Sequence, residues 1–291
     1  MVQVAGLGYA TSESLPLFHA LSGGSVVRVV IYSGRPLNFD MCEGFSDVEE
    51  VYRLSEEGPP LKEVEPEKLL GLARRWRASG VILETSYHKD PTLSEAVGAA
   101  RRAGLKVGLR TPAIEGDLPR VDFLLVDYFR HCSGNYSYSG IDLDALLRLA
   151  KENDAWVEVN TYVEKPRAED VMGEVSITAS YGFPIHVHLL DHEGGGPVRH
   201  MYDVLRKANP YVYIHVDLYE QLNTYCPRCG SPVAYREGAT LRSLELRDGT
   251  KCWRCGLELP FRFVVSNKTS AQALALSGRG TRWYDPRAVI V

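Results

Sequence analysis

The sequence predicts an α/β protein, a partial or full TIM-like (β/α) barrel followed by a small ribbon built on four cysteines. Three observations carry this. Strand-length apolar runs alternate with helix-length amphipathic segments at roughly 25–35-residue spacing, the pattern of βαβ units and a parallel sheet. Seven such runs precede residue 220, more than suits a short doubly wound sheet. Two knuckles, Cys226-Pro-Arg-Cys229-Gly and Cys252-Trp-Arg-Cys255-Gly, then follow, separated by residues 231–251. The division expected is a barrel over 1–220, a ribbon over 221–263 and a tail over 264–291.

Each element has its own signal. Residues 1–24 are weakly patterned. Ser25–Ser33 is largely β-branched and reads as a buried strand, interrupted only by Arg28. Residues 34–44 are loop, and the acidic stretch 45–63, with Gly58-Pro59-Pro60, is irregular or a short helix. Pro66–Ser79 is a helix with Leu69, Leu70, Leu72, Ala73 and Trp76 on one face, and Gly80–Glu84 is a strand. The alternation then continues. Helices are expected over Pro91–Ala103, Ile141–Asn153, Ala168–Tyr181 and Pro197–Ala208. Strands are expected over Leu105–Arg110, Val121–Asp127, Ala155–Tyr162, Pro184–Leu190 and Tyr211–Val216. The tail, with Trp283-Tyr-Asp-Pro-Arg, docks on the barrel or on a partner.

In the knuckles, two residues between thiols let one tight turn aim both sulfurs at one ion, and the following Gly takes a positive φ. Four thiolates, Cys226, Cys229, Cys252 and Cys255, close a tetrahedral site, which makes the metal structural. Zinc is the expected ion. Iron in the same geometry is the rival, and a pair of disulfides is the plainer alternative.

Composition excludes several classes. Charged residues make up 24% and the net charge is −4, so no electrostatic drive toward nucleic acid or an anionic membrane is visible. Arg236, Arg242, Arg247 and Trp253 in the ribbon are diluted by Glu237, Glu245, Asp248 and Glu258, which reads as a solvated surface. No run approaches the ~20 apolar residues of a membrane span. The start lacks a basic-then-apolar signal, so a cytoplasmic setting is expected. Gln and Asn are sparse, a lean toward a thermophilic source. Neither GxGxxG after a strand nor GxxxxGK[ST] is present.

In barrels the working residues sit at the C-terminal ends of strands. Here those ends carry Glu84, His88, Arg110, Asp127, Tyr128, Asn160, His186, His188, Asp191, His192 and His215. His186 and His188, at i and i+2, share one side of their strand. With Asp191 and His192 they either bind a divalent ion or are packed and solvent-facing histidines. Asp127 is a ligand-binding or a helix-capping residue, and the His88-Lys89-Asp90 turn is a binding loop or simply solvated.

Leu17-Phe18-His19, Ser25 and Gly34-x-x-Leu37-x-x-x-x-Cys42 resemble the start of radical SAM enzymes, most nearly the AmmeMemoRadiSam type related to glycyl-radical activating enzymes. Asp90-Pro-Thr-Leu93 resembles the end of that family's Gly-Gly-Glu-Pro-Thr-Leu motif. The segment Asn223–Gly230 with the second knuckle resembles the subgroup's C-terminal zinc ribbon. The similarity runs from about residue 16 to about residue 262, and it implies a radical SAM barrel. In that family three cysteines hold a 4Fe-4S cluster that cleaves S-adenosylmethionine.

The departures are specific. The three cluster positions fall on Arg35, Phe39 and Cys42, and neither Arg nor Phe ligates iron. The Gly-Gly-Glu that receives S-adenosylmethionine falls on His88-Lys89-Asp90. Cys132 would add only a second sulfur, and Cys42 alone is ordinarily a small buried hydrophobe. The expectation is a cluster-less homologue that binds a small molecule or a protein partner, with Asp90, Asp127, His186 and His188 as candidate ligand-binding residues. S-adenosylmethionine as a retained ligand is doubtful on this reading and a 4Fe-4S cluster is not expected. The alternatives are a barrel enzyme using the strand-end His and Asp residues, and a nucleic-acid-associated zinc-ribbon protein.

Overall fold

The computed structural model describes residues 1–34, 46–56, 62–87, 91–112, 117–131, 142–190, 194–216, 220–238, 240–278 and 280–290. Seven parallel strands form the frame: β2 (Ser25–Ile31), β4 (Gly80–Glu84), β5 (Lys106–Thr111), β6 (Phe123–Tyr128), β7 (Trp156–Val163), β8 (Ile185–Leu189) and β9 (Val212–His215). They lie side by side in that order, and each matches an expected strand. Two more strands extend the sheet beyond β2. These are β1 (Val2–Thr11), antiparallel to β2, and β15 (Thr281–Tyr284), antiparallel to β1; the short β3 (Lys62–Val64) also pairs with β1. Among the described residues β9 and β15 are not paired with each other, so the barrel is partial. His215 on β9 and Thr281 on β15 nonetheless border one cavity, so the sheet wraps until its two edges face the same space.

The strand at β1 was not expected, because Gly6 and Gly8 interrupt its apolar run. The tail's destination is settled by β15: the register from Leu7↔Tyr284 to Ala10↔Thr281 docks it on the barrel sheet.

The helices cover the sheet as their sequences dictate. They are α1 (Ser46–Glu56), α2 (Pro66–Arg75), α3 (Pro91–Arg102), α4 (Leu143–Glu152), α5 (Ala168–Tyr181) and α6 (Gly195–Ala208). Pro66 opens α2, where its missing N–H costs nothing, and Leu69, Leu70, Leu72 and Ala73 are buried. The side chain of Asp142 caps α4 by accepting from the Ala145 N–H at 3.1 Å. The parallel strands are buried along nearly their whole length, with charged residues such as Arg28, Glu84, Arg110 and Glu158 set among the apolar ones. No helix among the described residues is long and apolar enough to cross a membrane.

The ribbon comprises β10 (Thr224–Tyr225), β11 (Pro232–Glu237), β12 (Thr240–Leu244), β13 (Leu246–Arg247) and β14 (Lys251–Cys252); α7 (Ala271–Ser277) and α8 (Pro286–Val289) belong to the tail. Its own small core gathers Val233, Ala234, Leu241, Leu244, Leu259 and Phe261 around Cys226 and Cys252. Arg236 differs from the solvated surface expected of it. It is 4% exposed, with its guanidinium 4.0 Å from the Phe18 ring centroid and its Nη2 donating to the Phe18 carbonyl at 2.8 Å.

One glycine in the sheet is fixed by packing. A Cβ on Gly108 would lie 2.0 Å from Cε2 of Phe123 on the neighbouring strand. Gly108→Ala is therefore expected to cost about 1–3 kcal/mol through overpacking. A lowered urea midpoint checks this, and an unchanged midpoint would contradict it.

Candidate functional site

The face of the sheet that looks onto the cavity is polar, and its side chains come from alternating strand positions. On β2, Arg28 points opposite to Val27 and Val29. It is fully buried and grips Glu84 of β4 with two bonds, Nε to Oε2 and Nη2 to Oε1, both 2.8 Å. Its Nη1 reaches Asp47 of α1 at 2.6 Å and Thr281 Oγ1 of β15 at 2.5 Å, and Trp283 lies 4.6 Å from the guanidinium carbon. Arg110 of β5 repeats the arrangement one layer on, with Nε on Asp127 at 2.7 Å and Nη1 on Asp47 at 2.9 Å.

Asp127, on β6, is the hub. Besides Arg110 it accepts from the Tyr52 hydroxyl at 2.6 Å, the Tyr162 hydroxyl at 2.6 Å and Asn160 Nδ2 at 2.8 Å. Burial works against its charge, but Arg110 and the two hydroxyls together hold its carboxyl below the usual range. Asp47 is likewise pulled down: Arg28 and Arg110 outweigh the cost of desolvating it.

The other side of the cavity is built of histidines. Glu158 of β7 is buried and accepts the backbone N–H groups of Phe18, His19 and Ala20, each at 2.9 Å. It also bonds His186 Nε2 at 3.0 Å, and His186 Nδ1 meets His215 Nε2 at 3.0 Å. Burial pushes the Glu158 carboxyl up, against His19 and the three N–H groups that hold it down. Burial also drives His186 and His215 well below the normal imidazole range and His188 down to about 3, so all three are neutral. His188 bonds Asn160 Oδ1 at 3.1 Å and stacks between Tyr162, at 4.9 Å, and His215, at 4.4 Å. The cavity these groups enclose measures about 420 Å³, with Glu13, Asp47, Arg110, Tyr162, His188 and His215 on its wall.

The second candidate site is the cysteine cluster. All four sulfurs lie within 4.8 Å of one another and all four are free thiols, with Cys226 and Cys255 at 3.5 Å and Cys229 and Cys252 at 3.8 Å. Each knuckle closes with a backbone bond, Gly230 N to Cys226 O at 2.9 Å and Gly256 N to Cys252 O at 3.0 Å. Both glycines have positive φ, 68° and 70°, as the knuckle spacing demands. The donor set fits a four-coordinate thiophilic ion.

Of the residues expected from sequence, His188 lines the cavity, and Asp127 and His186 lie behind its wall, bonded to the lining residues Arg110, Tyr162 and His215. They do not converge as metal ligands. Among the described residues the four cysteines are the only group that does, and both His186 nitrogens are engaged by Glu158 and His215. Asp90, with His88 and Lys89, lies outside the described residues, as do Arg35, Phe39, Cys42, Cys132, Asp191 and His192. Sequence reasoning missed Glu158, Asp47 and Tyr52. Glu158 had a signal, a carboxylate inside an apolar strand; the other two come from a helix whose docking no local pattern announces.

No protein-family model matches the chain, and no curated protein matches it in sequence. Several solved structures resemble it in part. Streptococcus suis SuiB bound to precursor peptide SuiA is 12% identical with a TM-score of 0.41, covering 55% of this chain and 44% of that one. SuiB bound to S-adenosylmethionine gives 12%, 0.40, 55% and 45%, and SuiB alone gives 12%, 0.39, 53% and 44%. The match spans less than half of the SuiB chain, and similarity at this level assigns no residue a role.

The network around Asp127 sets a pH dependence. A depressed folded-state pKa makes the stabilisation full above about pH 4, the unfolded carboxylate value, and removes it as pH falls toward the folded value. Asp127→Asn leaves Arg110 short of a buried counter-charge and is expected to cost on the order of 3–5 kcal/mol at pH 7. Urea unfolding across pH 7 to pH 3 checks both points. The gap between wild type and variant should narrow below about pH 4, and a constant gap would count against Asp127 as the titrating hub.

Proposed function

We propose that this chain is a radical-SAM-like barrel without the iron–sulfur cluster, binding a small polar molecule at its concave face and carrying a structural zinc in its ribbon. The observation that carries the binding reading is the cavity, a pre-formed space whose polar walls are already hydrogen-bonded and held in place from behind. Pre-organisation of this kind lowers the cost of binding. Support for the missing cluster comes from chemistry: Arg35 and Phe39 stand where the family's motif has cysteines, and neither side chain ligates iron.

In the ribbon, Cys226, Cys229, Cys252 and Cys255 would hold the zinc. Bound there, the ion supplies folding free energy and no open coordination position. A cytoplasmic setting, which keeps such thiols reduced, suits this reading.

Anaerobic metal and sulfide analysis of the purified chain tests the proposal. About one zinc and no acid-labile sulfide per chain is expected. About four irons with sulfide would overturn the cluster-less reading and restore radical chemistry. Cys226→Ser or Cys252→Ser should lose the zinc and loosen the ribbon. Full metal content in both variants would remove the cysteines as its ligands.

A further inference from the structure

The structure assigns to His215 a role that sequence motifs do not show: it is a tautomer-locked hydrogen-bond acceptor for a small organic cation bearing N–H groups. This rests on the reading of the cavity as a ligand site and names the class of molecule it takes.

The lock follows from the hydrogen-bond chain. Glu158 receives three backbone N–H groups, from Phe18, His19 and Ala20, so its carboxylate is an acceptor on both oxygens. His186 Nε2, 3.0 Å from Glu158 Oε2, is then the donor of that pair. A neutral imidazole with its proton on Nε2 offers a lone pair at Nδ1. His215 Nε2, 3.0 Å from that lone pair, must donate to it. His215 is neutral in turn, so its own Nδ1 carries a lone pair. Among the described residues His215 makes no other hydrogen bond, and its ring borders the cavity. Glu158 and His186 are thus positioning residues, and His215 is the group that meets the ligand.

Charge decides which donor the lone pair meets. The described wall carries the carboxylates of Glu13, Asp47 and Glu220 against one guanidinium, Arg110. That guanidinium is already held by Asp47, Glu84 and Asp127. Among the described wall residues carboxylates outnumber guanidiniums, a formal charge that favours an ammonium or amidinium over an anion, and the N–H groups of such a cation meet the imidazole lone pair. The face of the His188–His215 stack, rings 4.4 Å apart, gives the apolar part of such a molecule a flat wall.

The test uses the full chain labelled with ¹⁵N-histidine. In the free protein at neutral pH, NMR should show His215 and His186 protonated at Nε2 and bare at Nδ1. Addition of 1,4-diaminobutane should move the His215 Nδ1 resonance saturably. The uncharged isostere 1,4-butanediol should bind at least tenfold more weakly. His215→Phe, which keeps the ring and removes its nitrogens, should weaken diamine binding at least tenfold. Glu158→Gln should move the His215 proton to Nδ1 and weaken binding by a similar factor, with zinc content unchanged. A His215 protonated at Nδ1 in the free wild-type chain, equal binding of diamine and diol, no diamine binding, or full binding by His215→Phe would each overturn the assignment. The parent reading fails differently: iron and sulfide in the purified chain would overturn it whatever the diamine does, while a wrong tautomer in a chain holding only zinc leaves it standing.

Discussion

Two guanidiniums buried inside a sheet are the constraint on which the rest of this structure depends. Taking Arg28 and Arg110 out of water costs several kcal/mol each unless every donor is met. The chain meets them with carboxylates from three places: Glu84 on β4, Asp127 on β6 and Asp47 on α1. Because Asp47 serves both cations, movement of α1 away from the concave face would remove one partner from each. Thr281 and Trp283 complete the shell around Arg28, which ties the C-terminal strand to the same network. β15 and α1 thus meet at one cation, Arg28, which bonds a residue from each.

The two sides of the cavity solve the problem of burying polar groups in opposite ways. Around Asp127 the solution is ionic, with full charges matched and the carboxylate saturated by two tyrosines, an asparagine and an arginine. Around Glu158 it is a backbone nest and a file of neutral imidazoles. A saturated carboxylate such as Asp127 has little left to offer a ligand, so its influence on binding passes through Tyr162 and Arg110, which reach the cavity wall. The histidine side retains acceptor capacity, because a neutral imidazole bonded at one nitrogen keeps the other.

The frame was legible in the sequence because its seven strands are short, mostly apolar runs separated, from β4 onward, largely by helix-length segments. The ribbon was legible because thiol spacing dictates knuckle geometry. β1 was hidden by Gly6 and Gly8, which dilute the run that would mark a strand. Strand parity did point to the site: Arg28 and Glu158 are charges inside apolar strands, and such a charge is either misread as an interruption or is a buried, partnered group. Which partner it finds is a long-range matter. Asp47 lies 63 residues from Arg110 in sequence, and Phe18 lies 140 from Glu158; no local pattern encodes either meeting. The expected candidates Asp127, His186 and His188 all lie on this face, but their roles could not be separated by spacing. One is a saturated hub, one is a positioning residue with both nitrogens bonded, and one is a stacked wall.

The ribbon is joined to the cavity by a continuous series of contacts, which bears on what a metal held by its cysteines would do. Residues of β11 pack with Leu259 and Phe261 in one small core around the knuckle cysteines. From that core Arg236 donates to the Phe18 carbonyl at 2.8 Å, the Arg262 N–H donates to the His19 carbonyl at 2.7 Å, and the Pro260 carbonyl meets His19 Nδ1 at 3.1 Å. These bonds fix residues 18–20 from one side, and on the other side the same three residues turn their N–H groups to Glu158. Glu158 orients His186, and His186 orients His215. The peptide that carries the nest is short and lies outside any helix or strand, so it is held by its bonds to the ribbon together with those to Ser22, Tyr213 and Glu158. A metal bound by the four cysteines would therefore act on the cavity at a distance, through a ribbon whose bonds help to keep the backbone donors aimed at Glu158.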